Sequence, residues 1–404
     1  MLARFFSSPA AYNWRGDDME KSVWMKIRLF CLTAAVVSLM AAVLVYAGTS
    51  SEGILKGLET VSRLLIPSLF PMMVLSSLLI RSGLSDVCGR LLAPVTRWLF
   101  RLPGEASSAI LLSFIGGFPI GAKCVRLLYE QRKLTDAQAE QMMLFCICSG
   151  PAFLITGVGT LLLGNPAAGV ILYLSQIISG LCLGFVAGRI SERNAPATGE
   201  ERPAALARTS LSDAFLLSCS DGAAALIQLT ALVVMFSMWL SLSEKIGLSQ
   251  LFSQVFQWAG LSLPTADAAF PVIFEVTTAC QTISRSACPL WVLSFAAGFG
   301  GLCVHFQIFS LLGNIRYNKW KVLGFRFINA CFSSFLVYVI GWFYHPDAAV
   351  FAVWGGENAE YTSTSAVGAA ALMVLSVVFV LSLKRSEISV GTFRRRFHSM
   401  RHEG

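Results

Sequence analysis

Two ionisable residues, Glu275 and His305, lie inside apolar segments of this sequence and are the first candidates for chemistry. An ionisable group at membrane depth is costly, and its presence there indicates a functional site. Thr277 lies two residues after Glu275, and Thr278 at i+3 falls on the same helix face. Two roles for Glu275 stay open: it carries a coupling proton or cation, or it pairs with a basic residue.

His305 follows a glycine-rich run, four residues after Gly301 and two before Gln307. An imidazole can exchange a proton near neutral pH, but a lone histidine is also a common packing residue. Asp221, in the polar cluster 218–222, is a weaker candidate because that cluster would suit the membrane edge equally well. The sequence leaves both roles open.

A Gly-Pro motif at residues 116–123 has the composition of a tight helix reversal. Gly116 and Gly117 would permit the turn, and Pro119 suits the first turn of the returning helix. The free N–H groups of that turn favour an anion, and Lys123 follows one turn later. We predict a hairpin tip that contacts substrate, with Lys123 pairing with a carboxylate. The alternative is a kink packed against a neighbouring helix.

Three further breaks interrupt apolar segments, at Pro151, at Glu275 and at the glycine pair 300–301. Pro151 removes a backbone hydrogen bond within 138–163, and Ser149 could satisfy a freed group. Irregular backbone at membrane depth persists only inside protein or beside a water-filled cavity, where transporters use it to bind substrate near the midplane. We predict one such site, with these candidate residues: Gly116, Gly117, Phe118, Pro119, Gly121, Lys123, Ser149, Gly150, Pro151, Glu275, Thr277, Thr278, Gly300, Gly301, His305 and Gln307.

The composition requires a membrane around these segments. The chain has 404 residues, of which 55% are hydrophobic and 13% charged, whereas a soluble domain carries about 25% charged residues. The net charge is +8, but the basic residues lie in short runs between apolar segments, as in cytoplasmic loops. We therefore predict an all-α polytopic membrane protein that does not bind nucleic acid.

The apolar segments predict about eight transmembrane helices, because a bilayer core needs about 20 residues of helix. The candidates are 29–48, 61–81, 138–163, 167–188, 213–242, 266–284, 321–343 and 364–383. Basic loops place both termini in the cytoplasm, with the first span uncleaved. Segments 106–129 and 288–313 would then enter the membrane and return as two re-entrant hairpins. If 266–284 is re-entrant instead, 288–313 must cross.

The polar stretch 192–212 divides the chain into two halves that repeat the same order of elements. The predicted regions are a cytoplasmic segment 1–28, a first transmembrane half 29–191 with the Gly-Pro hairpin, the cytoplasmic linker 192–212, a second half 213–383 and a basic tail 384–404. The glycine-broken segments read alike, LSFIGGF at 112–118 and LSFAAGF at 293–299. We predict an internal repeat in which these two segments correspond.

Motifs for common enzymes are missing from the sequence, which has no Walker A loop, no H-E-x-x-H and no G-x-S-x-G. We predict no enzyme, no catalytic residue, no metal site and no cofactor. A coupling proton or cation stays open. The expected partners are a small-molecule substrate and the lipid bilayer, and a homo-oligomer or another partner also stays open.

Taken in order, four motifs resemble the sporulation integral membrane proteins of the YlbJ type, which carry the nucleoside-recognition (Gate) domain. The motifs are GFPIGAK at 117–123, SGPAFLI at 149–155, FEVT at 274–277 and GGLCVHFQ at 300–307. The resemblance covers roughly residues 25–385. In this family a Tyr would be more usual than Phe118, and a Gly more usual than Ala279. The family's residue roles therefore carry over less directly to single residues of this chain.

The resemblance implies a distant relation to concentrative nucleoside transporters, with paired hairpins and broken helices in an internal repeat. It also implies a role in endospore formation, in which members move dipicolinate from the mother cell across the outer forespore membrane. We therefore expect a dipicolinate transporter in the bacterial cell membrane. The alternatives are a carrier of nucleosides or related solutes, and a non-transporting scaffold for spore-envelope assembly.

Overall fold

The computed structural model describes residues 16–82, 84–190, 211–286, 288–313 and 315–343. Within them every regular element is a helix, which confirms the all-α fold. The first half contains α1 (Gly16–Val45), α2 (Ala47–Thr60), a π-helix (Val61–Leu65), α3 (Ile66–Arg81), α4 (Leu84–Phe100), α5 (Ala106–Gly116), α6 (Phe118–Glu130), α7 (Asp136–Phe145), a second π-helix (Ala152–Leu162) and α8 (Pro166–Ile190). The second contains α9 (Leu211–Lys245), α10 (Leu248–Trp258), α11 (Leu263–Phe274), α12 (Val276–Arg285), α13 (Leu290–Phe299), α14 (Gly301–Leu312) and α15 (Lys319–Phe343).

Several helical segments are long and apolar enough to cross a membrane. They are Ala47–Arg81, Pro166–Ile190, Leu211–Lys245, Leu290–Leu312 and Lys319–Phe343. The count of eight crossings and the orientation stay predictions. Residues 1–15, nearly all of the linker 192–212, the predicted span 364–383 and the tail 384–404 lie outside the described residues.

The second half differs from our prediction in which of its segments doubles back. We expected 288–313 to return and 266–284 to cross. Instead α11 packs against α12, and Cys288, just beyond α12, contacts Thr265 near the start of α11. Helices α13 and α14 are separated by the left-handed residue Gly300 and do not pack along each other. Segment 266–284 is therefore the hairpin, and 288–313 is a broken helix whose two parts do not fold back on each other.

This correction changes the internal correspondence of the repeat. The hairpin α5–α6 corresponds to the hairpin α11–α12, and both follow an amphipathic helix, α4 or α10. The broken helix formed by α7 and the second π-helix corresponds to α13 and α14, and the long helices α8 and α15 complete the two sets. The likeness between 112–118 and 293–299 joins elements that do not correspond, so that part of the prediction was wrong.

The predicted span 138–163 forms two separate pieces. α7 starts with a capping box in which the Thr135 hydroxyl accepts from the Gln138 amide at 3.2 Å and the Gln138 side chain accepts from the Thr135 amide at 3.0 Å. The helix ends at Phe145, and residues 147–150 are not helical. Pro151 starts the next helical segment, where its missing N–H leaves no bond unmade. Pro151 therefore follows a non-helical interruption of the chain, whereas a kink within one continuous helix was expected for the span 138–163.

Two glycines bring α2 close to α9. A Cβ at Gly53 would lie 2.8 Å from the Met238 Cα, and one at Gly57 would lie 2.9 Å from the Val234 Cα. Small residues four apart on a helix let two backbones approach, which is the usual way helices associate in lipid. α2, α3 and α9 thus pack as one group beside the hairpins and broken helices.

Candidate functional site

The tip of the first hairpin, α5–α6, packs its backbone against the backbone of the first break, which is the non-helical stretch 147–150. Gly117 has φ +78° and ψ −167°, and a Cβ there would lie 2.9 Å from the Gly150 nitrogen. A Cβ at Gly150 would in turn lie 3.0 Å from the Gly117 nitrogen. A Cβ at Gly121, one turn along α6, would lie 2.6 Å from the Cys146 carbonyl oxygen. Only glycines permit this packing of the tip into the unwound segment.

The second hairpin, α11–α12, packs in the same way against the second break, which lies at Gly300 and Gly301 between α13 and α14. Glu275, at its tip, has an extended backbone between α11 and α12. A Cβ at Gly301, in the second break, would lie 3.0 Å from the Glu275 nitrogen and 3.1 Å from the Phe274 carbonyl oxygen. Each hairpin tip therefore contacts the break of its own half, which explains why the sequence places glycines at both breaks.

A small cavity brings the two tips and the two breaks together. Its volume is about 40 Å³, whereas pockets that enclose drug-sized ligands measure about 300–1,000 Å³. A ligand of that size would therefore have to widen the cavity. The lining residues are Leu65, Leu69, Gly116, Gly117, Phe118, Pro119, Gly150, Phe153, Leu229, Val233, Glu275, Val276, Thr277, Cys303, Val304 and Gln307.

Glu275 caps the helix that it precedes. Its carboxylate accepts hydrogen bonds from the Thr277 amide at 2.9 Å, the Thr278 amide at 2.6 Å and the Thr277 hydroxyl at 2.5 Å. The residue is fully buried. Backbone N–H groups at a helix N-terminus stabilise a negative charge, so the arrangement suits the ionised carboxylate.

We expect Glu275→Ala to lower the stability of the protein by about 1–2 kcal/mol, the usual cost of losing a helix cap. The amides of Thr277 and Thr278 would lose their acceptor inside the protein. The measurement is thermal unfolding in detergent. Glu244→Ala removes an acidic residue near the end of α9 by the same substitution and serves as the control. An unchanged midpoint for Glu275→Ala would contradict the capping role.

Lys123 lies away from the cavity, in a different contact. Its ammonium is 3.2 Å from an Asp221 carboxylate oxygen, to which Arg81 also donates at 2.6 Å and Ser77 at 2.9 Å. The Lys123 side chain is 47% exposed. Asp221 therefore joins α3, α6 and α9 in an ion-pair cluster, and it already compensates the lysine that we had assigned to a substrate carboxylate.

Arg326, on α15, is the basic residue next to the site, and our prediction from the sequence did not include it. It is only 1% exposed. Its guanidinium donates to the carbonyl oxygens of Ile147 and Phe299, which lie at the two breaks. The guanidinium carbon is 4.9 Å from the centre of the Phe118 ring, and Phe118 lines the cavity.

No acidic side chain in the described part of the chain forms an ion pair with Arg326, and its Nε has no hydrogen-bond partner there. A buried charge without a counter-ion is unusual because burial removes its hydration. The rule that singled out Glu275, an ionisable residue inside an apolar segment, also applies to Arg326 within 321–343 and would have found it.

The remaining predicted residues lie around the breaks. The Ser149 hydroxyl donates to the Ala297 carbonyl at 2.9 Å, which joins one break to the other. His305 Nδ1 lies 2.5 Å from the Gly301 carbonyl oxygen, and its Nε2 is buried without a partner among the described residues. The Gln307 amide, at the cavity wall, contacts the Cys303 sulfur at 3.6 Å. Pro151 and Gly300 shape the backbone next to the cavity and are not among its lining residues.

Comparison with known proteins agrees with the resemblance seen in the motifs. Residues 63–166, which contain the first hairpin and the first break, match the family model Gate, described as nucleoside recognition. The sporulation integral membrane protein YlbJ of Bacillus subtilis (strain 168) is 25% identical over 350 residues, which are 78% of this chain and 83% of that protein. The predicted resemblance is confirmed: the chain is similar to YlbJ, and it contains several helical segments that are long and apolar enough to cross a membrane.

Solved structures of CNTnw also resemble the chain. A variant in the intermediate 3 state has a TM-score of 0.47 and 14% identity, and the match covers 81% of this chain and 86% of that one. CNTnw in an inward-facing substrate-bound state has a TM-score of 0.42 and 13% identity, with coverage of 84% and 88%.

Proposed function

We propose that this protein is a membrane carrier of a small organic anion, and that the anion is dipicolinate, moved from the mother cell toward the forespore during sporulation. The observation that carries the proposal is Arg326, a buried guanidinium with no acidic partner among the described residues, behind the cavity residue Phe118. Dipicolinate and its direction rest on the resemblance to the YlbJ-type proteins.

The first turn of α6 provides a second attractive group for an anion. Gly117 precedes α6 and offers no side-chain cap. At the corresponding place in the other half, the amides of α12 already bind the Glu275 carboxylate. On α6 the counterpart of Thr277 is Pro119, which has no N–H. A substrate carboxylate would therefore use the Ile120 amide, the counterpart of the Thr278 amide, close to Phe118 and Arg326. Helix N-termini bind carboxylates in this way because their N–H groups are free and the helix dipole favours negative charge.

A nucleoside is the second candidate substrate. Glu275, Thr277 and Gln307 line the cavity, and a carboxylate acceptor suits a substrate that donates hydrogen bonds from hydroxyl groups. The Gate model that matches residues 63–166 carries the description nucleoside recognition. A nucleoside would use the Glu275 side of the cavity and would gain little from Arg326.

The test is uptake of radiolabelled dipicolinate into liposomes that contain the purified protein. We expect saturable uptake that unlabelled dipicolinate inhibits and uridine does not. Liposomes without protein measure passive leak, and labelled uridine in parallel tests the second candidate. Uptake of uridine alone would overturn the anion assignment. No uptake of either solute by folded protein would overturn the carrier and favour the scaffold.

A further inference from the structure

Two buried polar atoms near the second break lack partners in the described part of the chain: the Nε of Arg326 and the Nε2 of His305. Both side chains contact the short turn 299–301. Arg326 donates to the Phe299 carbonyl at 3.5 Å, the His305 ring centre is 5.2 Å from that of Phe299, and His305 Nδ1 lies 2.5 Å from the Gly301 oxygen. The turn therefore holds a fixed positive charge and a titratable ring next to each other.

The contact with Gly301 determines which nitrogen of His305 carries the proton. A carbonyl oxygen only accepts hydrogen bonds, so Nδ1 must be the donor in the neutral ring. Nε2 then has a free lone pair, and it is the buried atom without a partner among the described residues. The neutral ring is thus a base poised to accept one proton at Nε2.

Glu275 is less suited to carry a proton. Three donors, two amides and one hydroxyl, already bind its two carboxylate oxygens. Both oxygens of Glu275 therefore already have hydrogen-bond partners inside the protein. Of the two ionisable residues that the sequence singled out, His305 is the one whose acceptor atom has no hydrogen-bond partner among the described residues.

We propose that His305 couples anion transport to proton transport, with Nε2 accepting a proton when an anion binds at Arg326. This proposal rests on the proposed function. Without the anion, a proton on His305 would place a second positive charge beside the buried guanidinium. A bound carboxylate neutralises that repulsion, so the anion and the proton favour each other's binding, as linkage requires. One proton from water on the loading side binds with the anion and leaves with it on the other side.

Other ionisable groups surround this pair from several elements. Arg326 faces His305 from α15, and Cys148, in the first break, lies near Arg326. Glu275, at the second hairpin tip, lies near Cys303 on the same helix as His305. Phe309 packs against His305 and contacts Tyr317 and the ammonium of Lys319. Arg326 is the one among them whose charge an arriving carboxylate would neutralise.

The experiment measures dipicolinate binding to the purified protein between pH 5.5 and pH 8, together with proton uptake in weakly buffered solution. We expect about one proton taken up per anion, and an affinity that falls by up to about tenfold per pH unit as the pH rises. His305→Asn keeps an amide donor near the position of Nδ1 but has no base at Nε2. It should bind the anion without proton uptake, and its transport should not respond to a proton gradient.

Two further variants, together with the wild-type protein, keep the two proposals apart. His305→Gln repeats the test if the asparagine variant does not fold, and Glu275→Gln tests the other candidate for the coupling proton. If the wild-type protein binds no dipicolinate, the proposed function fails. If it binds dipicolinate but both His305 variants keep the wild-type proton uptake, the coupling role of His305 is overturned. Loss of proton uptake only in Glu275→Gln would assign the proton to that carboxylate.

Discussion

Arg326→Gln should lower dipicolinate uptake by about ten- to a hundredfold. Hydrogen bonds to a charged group contribute about 1.5–3 kcal/mol, and each 1.4 kcal/mol corresponds to a factor of about ten. Glutamine keeps an amide donor for one of the carbonyl groups at the breaks but has no charge to offer a substrate carboxylate. The measurement is the initial rate of uptake in proteoliposomes, normalised to the amount of folded protein.

Lys123→Gln is the matched control, since it removes one positive charge by the same substitution. Lys123 is half exposed and bonded to Asp221, which keeps Arg81 as a partner in the variant. We expect its uptake to fall by at most about fivefold, because exposed ion pairs contribute at most about 1 kcal/mol. A large loss in Lys123→Gln with normal uptake in Arg326→Gln would contradict the assignment and restore the one made from the sequence.

Gly117→Ala should destabilise the protein by about 2–6 kcal/mol and abolish uptake. Its φ of +78° with ψ of −167° is a conformation that essentially only glycine adopts, which costs another residue about 1–3 kcal/mol. The added methyl group would also lie 2.9 Å from the backbone of Gly150, and such overpacking costs about 1–3 kcal/mol more. Thermal unfolding in detergent and the uptake rate measure the two effects.

Substitutions at two other glycines separate the conformational cost of Gly117→Ala from its packing cost. Gly150 faces the same contact, but its φ is not positive, so Gly150→Ala isolates the cost of packing. Gly324 lies in the regular helix α15, and a methyl group added there would meet no atom within 4 Å. Gly324→Ala should therefore leave stability unchanged or slightly raised. Wild-type stability and uptake in Gly117→Ala would contradict the tip geometry.

The sequence could predict the places where helices break, because glycine, proline and buried charges act locally on the backbone. The tip at Gly117, the break at Pro151 and the ionisable Glu275 all follow from such local rules. Their convergence on one cavity could be expected only from the general behaviour of broken helices in membranes. The structure places Gly117, Glu275 and Gly150, the residue before Pro151, on the wall of one cavity.

The sequence could not show which hairpins correspond in the two halves. Glycines occur both where the chain reverses direction and where one helix is followed by another without a reversal. A glycine at a break permits either, and the choice depends on what packs around it. Gly117 reverses the chain between α5 and α6, whereas Gly300 joins α13 and α14 without bringing them together. Hydropathy alone does not separate the two cases.

The motif at 116–123 also did not show which face of α6 carries Lys123. Lys123 comes five positions after Phe118, which turns the side chain by about 140° around α6. Lys123 therefore points to Asp221 while Phe118 points to the cavity. Arg326 is far away in sequence and reaches the site from α15, so a motif-based search around the tips does not include it.

One wall of the cavity is formed by α3, α9 and the end of the first π-helix. This wall would affect the kinetics of the proposed carrier. The four side chains on this wall are aliphatic, Leu65 and Leu69 from one side and Leu229 and Val233 from the other. Aliphatic contacts have no preferred direction, so displacement of the hairpins along this wall breaks no hydrogen bond within it. Resistance to such sliding comes from polar contacts at its margin, such as the Gln281 amide of α12, which donates to the Thr60 hydroxyl of α2 at 3.0 Å. In the proposed carrier, the barrier between alternate positions of the second hairpin is therefore adjustable at residues that do not line the cavity.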